Sequence, residues 1–447
     1  MKTLLLILAI AAQLDAASMK AGFARFNITP KFPIYLSGYA ARTKPSEGVL
    51  QPIWAKALAI QDTKGAKTVI VTTDLIGLSR AVTDQVSARA LKDLGLDRAR
   101  LVFNASHTHS GPMVGGNLQA LFDLTPKDEK AIADYTRILT EDLYQVVSAA
   151  VSDLSPAVLS VGHGTADFGF NRRTNKATKE HIADPKGPTD HDVPVIRVTT
   201  PDGKLRGVLF GYACHNTTLG GDLYQVNGDY AGFAQSEFET SHPGATAMFM
   251  ILCGADQNPN PRGTVDHAMQ YGKQLSDAVS KVIDGKMDPV SGPVQAAYKV
   301  TELAFKAHDR ALFENDLKDK LRAKVRRAEM MLKLYDERRP IRGTPYPVQA
   351  LRFGKTLTMV TLGGEVVIDY DLRIKKEFPG EHIIVAGYSN DVMCYIPSLR
   401  VLKEGGYEAD SSMIYYGQPG PFDEKVEDTV MDGVYGVMKR VGRKPVK

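Results

Sequence analysis

Residues 67–78 read KTVIVTTDLIGL, and residues 100–112 read RLVFNASHTHSGP. Each begins with a short apolar run rich in β-branched residues, which reads as a buried strand. Between them, Ser79–Leu94 reads as a helix. The pattern continues in both directions. PKDEKAIADYTRILTEDLYQVVSAAVSDL (126–154) predicts a long helix whose apolar stripe runs through Ile132, Tyr135, Leu139, Leu143 and Val147. AVLSVGHG (157–164), PVIRVTT (194–200), LRGVLFGYACH (205–215) and MFMILCG (248–254) predict strands, and helices are expected after Asn227-Gly228-Asp229 and over 264–284. A charged helix is expected over 310–335, with Leu317, Leu321, Val325, Ala328 and Leu332 as its buried stripe and its Lys/Arg run as a solvated face. Strand patterns return in LRFGKTLTMVTLGGEVVIDY and HIIVAGYSND, before a C-terminal helix at roughly 424–440. Regular alternation predicts an α/β fold of layered sheets covered by helices.

Bulk properties narrow the function. A net charge of +4 over 447 residues argues against a dedicated nucleic-acid binder, which concentrates basic residues on one face. The opening MKTLLLILAIAAQLDAASM has one lysine, a short apolar run and small residues at Ala16, Ala17 and Ser18. It reads as a secretory signal peptide over 1–17, so the chain is expected to be exported to the periplasm or outside the cell. No later stretch has the ~20 apolar residues of a membrane helix. Three cysteines, Cys214, Cys253 and Cys394, are too few for a disulfide framework.

Ligand-type residues sit where strands end. His107 and His109, among only ten histidines, would share one face if the segment stays extended. His215 closes another strand, and Glu365 follows Gly363-Gly364. Strand ends are common binding sites in sheet-based folds. Two imidazoles and a carboxylate form the protein ligand set of many catalytic zinc sites. A satisfied structural histidine remains the alternative at each position. The cysteines flank these segments and read as small apolar residues facing away. Asp74 and Asp229 read equally as helix caps or as groups orienting a ligand, and His191 as part of a solvated turn.

Further motifs sharpen this reading: AGFARFNITP (21–30) with SGYA (37–40), SHTHSGP (106–112), FNRR (170–173), ACHNTT (213–218) with NGDYAG (227–232), GGE (363–365), and Tyr395 and Tyr407 before EADSS. Together they resemble the catalytic domain of the neutral (non-lysosomal) ceramidases. The resemblance implies a zinc ion, one per chain, on His107, His215, Glu365 and Tyr395. It implies His109 as proton shuttle, and Arg172 with Tyr407 as oxyanion binders. It further implies cleavage of an N-acyl amide.

The sequence departs from that family at several points. GADQNPN (254–260) places Asn258 where the family carries a serine. An amide cannot be deprotonated to attack a carbonyl, although Asn258 could donate a hydrogen bond to an oxyanion. Metal-activated water is then the expected nucleophile. Segment 300–348 has no counterpart and is expected as a helical insertion, and the family's C-terminal β-domain is not expected within 18–447. The expected substrate is a small-molecule, lipid or sugar conjugate other than ceramide. The alternatives are an ester, lactone or glycoside hydrolase, with Asp256 available for acid/base work, or a non-catalytic metal-containing binding protein.

Overall fold

Three sheets account for most strands, and each contains one βαβ unit. The computed structural model describes residues 19–173, 184 and 186–446, so the expected signal peptide lies outside the described residues. The first sheet runs, in spatial order, Leu101–Ala105, Lys67–Thr73, Trp54–Gln61, Lys20–Asn27 and Ser155–Pro156. Its parallel pair, Lys67–Thr73 with Leu101–Ala105, is joined through the helix Arg80–Leu94. The second runs Thr246–Ile251, Leu205–Tyr212, Asp192–Thr199, Val158–Thr165 and Asp288–Val290. There Leu205–Tyr212 lies parallel to Thr246–Ile251, with the helix Asp229–Ser241 between them. The third runs Val294–Ala304, Gly343–Phe353, Leu357–Leu362 and His382–Ala386. Its last two strands are parallel and linked through Ile368–Glu377. Parallel neighbours require such crossovers, and the C-terminal ends of parallel strands are where this architecture leaves room for a site.

One buried side chain ties the sheets together. Asn104, in the first sheet, donates from Nδ2 to the carbonyl of Ile251 in the second, at 3.2 Å, and to Gly387 O, at 3.0 Å, just past the third. Its Oδ1 accepts from Ile251 N at 3.0 Å. A buried amide satisfied on both ends fixes the register between layers.

Helices cover the sheets as the periodicity predicts. Pro126–Ser152 starts with a capping box between Thr125 and Asp128, and all five predicted stripe residues are buried. Val426–Arg440 packs on Val294–Ala304.

The expected single helix over 310–335 is two helices, Arg310–Asp316 and Arg322–Asp336. The chain turns between them because Asp319 Oδ1 captures the N–H of Leu321 at 2.9 Å, a local bond that competes with the helical one. Leu317 and Leu321, predicted buried, are exposed, whereas Val325 and Ala328 are buried. The flanks of 300–348 are not helical either. They are the arms of the antiparallel pair Val294–Ala304 and Gly343–Phe353.

Candidate metal centre

The predicted ligands arrive from all three sheets. Past Leu101–Ala105 the chain leaves the extended conformation, and His107 has φ 62. A left-handed histidine is strained, so the extended geometry expected of the His107/His109 pair does not hold. The kink still brings the two Nε2 atoms to 3.1 Å. The segment carrying His215 likewise leaves its sheet after Tyr212, and a bridge between Thr108 and Asn216 joins it to the first. Glu365 and Tyr395 face each other as partners in a short parallel pair. Gly364 makes that approach possible: it has φ 71, and a Cβ there would lie 2.6 Å from Ile396 Cγ1 and 2.7 Å from Cys394 O.

At the centre, Glu365 Oε2 lies 3.1 Å from His107 Nε2 and 3.2 Å from His215 Nε2. Tyr395 Oη lies 3.1 Å from His215 Nε2. The rear nitrogens are committed: His107 Nδ1 to Ile76 O at 2.6 Å and His215 Nδ1 to Gly254 O at 2.8 Å. A carbonyl can only accept, so each Nδ1 carries the hydrogen and each Nε2 turns a lone pair inward. Glu365 Oε2 is buried and has no hydrogen-bond partner among the described residues. Two inward lone pairs and an unpartnered carboxylate oxygen converge in one buried space, an arrangement that suits a cation. A proton can serve one pair, whereas a divalent metal serves all three, so the donor set fits zinc. Tyr395 Oη borders this set through His215, and His109, clustered with His107 and His215, stands beside it.

The electrostatics follow from burial. His215 is pushed down to about 3, first by desolvation and then by the charge of Arg172. Desolvation also drives His109 well below its ordinary value, reinforced by His107 and His215. Burial opposes ionisation of Glu365, but its interactions with His107 and His215 outweigh it and hold the carboxyl well below its usual range. Tyr395 is raised by burial and by Glu365, while Arg172 pulls the other way.

The surrounding residues divide into two groups. His109, Tyr407, Tyr395 and Glu365 line a cleft of about 620 Å³ together with Tyr39, Leu118, Leu121, Tyr415 and Tyr416. His109 Nδ1 is buried without a partner among the described residues. Gly38, φ 102, leaves room for it, because a Cβ there would meet Nδ1 at 2.3 Å. Arg172 and Asn258 sit behind this wall. Arg172 donates to Glu408 Oε1 at 2.8 Å, Asn258 Oδ1 at 3.1 Å and Tyr395 Oη at 3.0 Å. Asn258 Oδ1 also accepts from Thr217 at 3.2 Å.

Some expected roles change. Asp256 is buried, accepting from Asn171 Nδ2 and Ile368 N, each at 2.9 Å, which leaves it no acid/base role at the cleft. Asp74 binds Trp54 N and Gln235 rather than a ligand histidine. Asp229 holds the N–H groups of Thr218 and Leu219, just after His215. The three cysteines are buried free thiols. Two contributors escaped the sequence reading. Tyr416 donates to Glu365 Oε1, and Glu408 binds both Arg172 and Arg173. Tyr416 stands in a YYG stretch with no spacing cue, and Glu408 directly follows Tyr407, which was the only signal available.

Comparison with known proteins places the chain in a family. The neutral/alkaline non-lysosomal ceramidase N-terminal model matches residues 20–251, the span that carries His107, His109, Arg172 and His215. A neutral ceramidase of Pseudomonas aeruginosa is 25% identical over 270 residues, covering 57% of this chain and 39% of that protein. One from Drosophila melanogaster is 24% identical over 312 residues, covering 65% and 43%. The chain thus spans less than half the length of these curated relatives. The crystal structure of the P. aeruginosa neutral ceramidase shares the fold, with TM-score 0.74 and 18% identity over 96% of this chain and 76% of that one. No helix among the described residues is long and apolar enough to cross a membrane. By its matched sequence and its fold, the chain belongs to the neutral/alkaline non-lysosomal ceramidase family.

Proposed function

We propose that this chain is an exported, zinc-dependent hydrolase of an N-acyl amide bond, acting on a substrate other than ceramide. The supporting observation is the convergence of His107 Nε2, His215 Nε2 and the unpartnered Glu365 Oε2 at 3.1–3.2 Å beside an open cleft. A divalent metal held there supplies Lewis acidity and an activated water. The chain's own residues do the rest. His109, on the cleft wall with an unpartnered Nδ1, moves the proton between water and leaving amine. Tyr407, on the cleft wall, donates to the carbonyl oxygen as charge develops. Arg172 acts through Tyr395, whose oxygen it holds at 3.0 Å. Asn258 anchors Arg172 instead of attacking the carbonyl. The N-terminal pattern of residues 1–17 supports export.

The test is metal content together with hydrolysis of a panel of N-acyl and ester substrates, with and without chelator. Amide cleavage that chelator abolishes and Zn²⁺ restores is the expected result. Metal-loaded protein inert on every substrate, or cleavage unchanged in His107→Ala, overturns the reading.

A further inference from the structure

A second pair of histidines meets away from this centre. His163 lies in Val158–Thr165 of the second sheet, and His382 opens His382–Ala386 of the third. His163 Nε2 and His382 Nδ1 face each other at 2.9 Å. The ring planes lie within 13°, and the centroids are 5.0 Å apart, so the rings meet edge to edge. Each rear nitrogen is held by a carboxylate: His163 Nδ1 by Asp192 at 2.8 Å, and His382 Nε2 by Asp288 at 2.8 Å. His163 is exposed and His382 half-buried at a separate cleft of about 890 Å³.

A carboxylate behind an imidazole keeps the hydrogen on the rear nitrogen and the lone pair on the front one. With both rings so held, two lone pairs oppose each other. A borderline-soft cation held by both nitrogens relieves this. The other charges at the cleft favour a cation. Asp190, Asp192 and Asp288 line it, Lys375 is engaged by Asp190, Asp192 and Asp371, and Glu381 is taken by Arg352 and Arg443. Lys355 is the other basic residue on the wall. A tetrahedral Zn²⁺ with bonds of about 2.0–2.1 Å sets its nitrogens roughly 3.3 Å apart and lies off the line between them, so the rings must part by a few tenths of an ångström and tilt to aim both lone pairs at it.

We propose that His163 and His382, backed by Asp192 and Asp288, form a second divalent transition-metal site that clasps the second sheet to the third. With two protein ligands, it is weaker than the centre at His107, His215 and Glu365. Its existence does not depend on the amide-hydrolase reading.

The experiment titrates chelator-stripped protein with Zn²⁺ against a chromophoric competitor at pH 7.5. The expected result is one tight and one weaker equivalent. His382→Gln and His163→Asn should each remove the weaker equivalent and keep the tight one, which also shows that the variants fold. Asp288→Asn should weaken the second site by about tenfold or more. Cu²⁺ in the second site should show nitrogen hyperfine structure, lost in His382→Gln. A single equivalent in the unaltered protein, or a second one that survives both histidine substitutions, overturns the proposal.

Discussion

Among the described residues histidines gather twice, and the two gatherings are built differently. At the first centre the imidazoles are fully buried and their rear nitrogens are fixed by backbone carbonyls. At the second they are half-exposed and fixed by aspartates. A carbonyl cannot change its protonation, so the first arrangement is permanent. The strand His382–Ala386 separates them, with His382 at its start and Tyr388 packed on His107, ring centroids 4.5 Å apart, beyond its end.

This contrast can be tested by perturbation. The largest effect is expected from His107→Ala: loss of the tight metal equivalent, and a fall in kcat/KM of about 10³-fold or more, or about 4 kcal/mol, with the second centre intact by metal titration. Asn104→Ala removes the amide joining the three sheets and leaves buried partners unsatisfied. It should cost about 3 kcal/mol in denaturant unfolding and weaken both centres, since each draws groups from more than one sheet. Tyr416→Phe deletes the donor to Glu365 Oε1. It should weaken the tight metal equivalent by about 10–100-fold and leave the second unchanged.

A separate effect concerns pH. Burial raises Asp391 to about 7. Its folded value lies above its unfolded one, so its contribution to stability is complete below about pH 4 and declines as pH rises toward 7. Asp391→Asn should therefore be more stable than the unaltered protein at pH 8, by roughly 4 kcal/mol at most, and equal to it near pH 4, as read by urea melts at both values. A constant difference across pH would remove burial as the cause.

The difference between the centres also explains what the sequence revealed. His107, His215 and Glu365 each lie in a run that reads locally: an apolar strand, then a ligand, then small or polar turn residues. Asp192, His163, His382 and Asp288 are isolated letters on four strands, and only register brings them together. Asn104 was invisible for the same reason, since its partners lie in the other two sheets. The left-handed His107 was missed because strand periodicity ends before the kink begins. The long helix over 310–335 was misread because its apolar spacing continues through Leu317 and Leu321 while Asp319 diverts the backbone.

The most direct test of the central claim is anomalous diffraction at the zinc edge from crystals of the Zn²⁺-loaded protein. The expected result is a peak within about 2.0–2.3 Å of His107 Nε2, His215 Nε2 and Glu365 Oε2. A fully loaded crystal with no peak there, or with those three side chains turned apart, contradicts it.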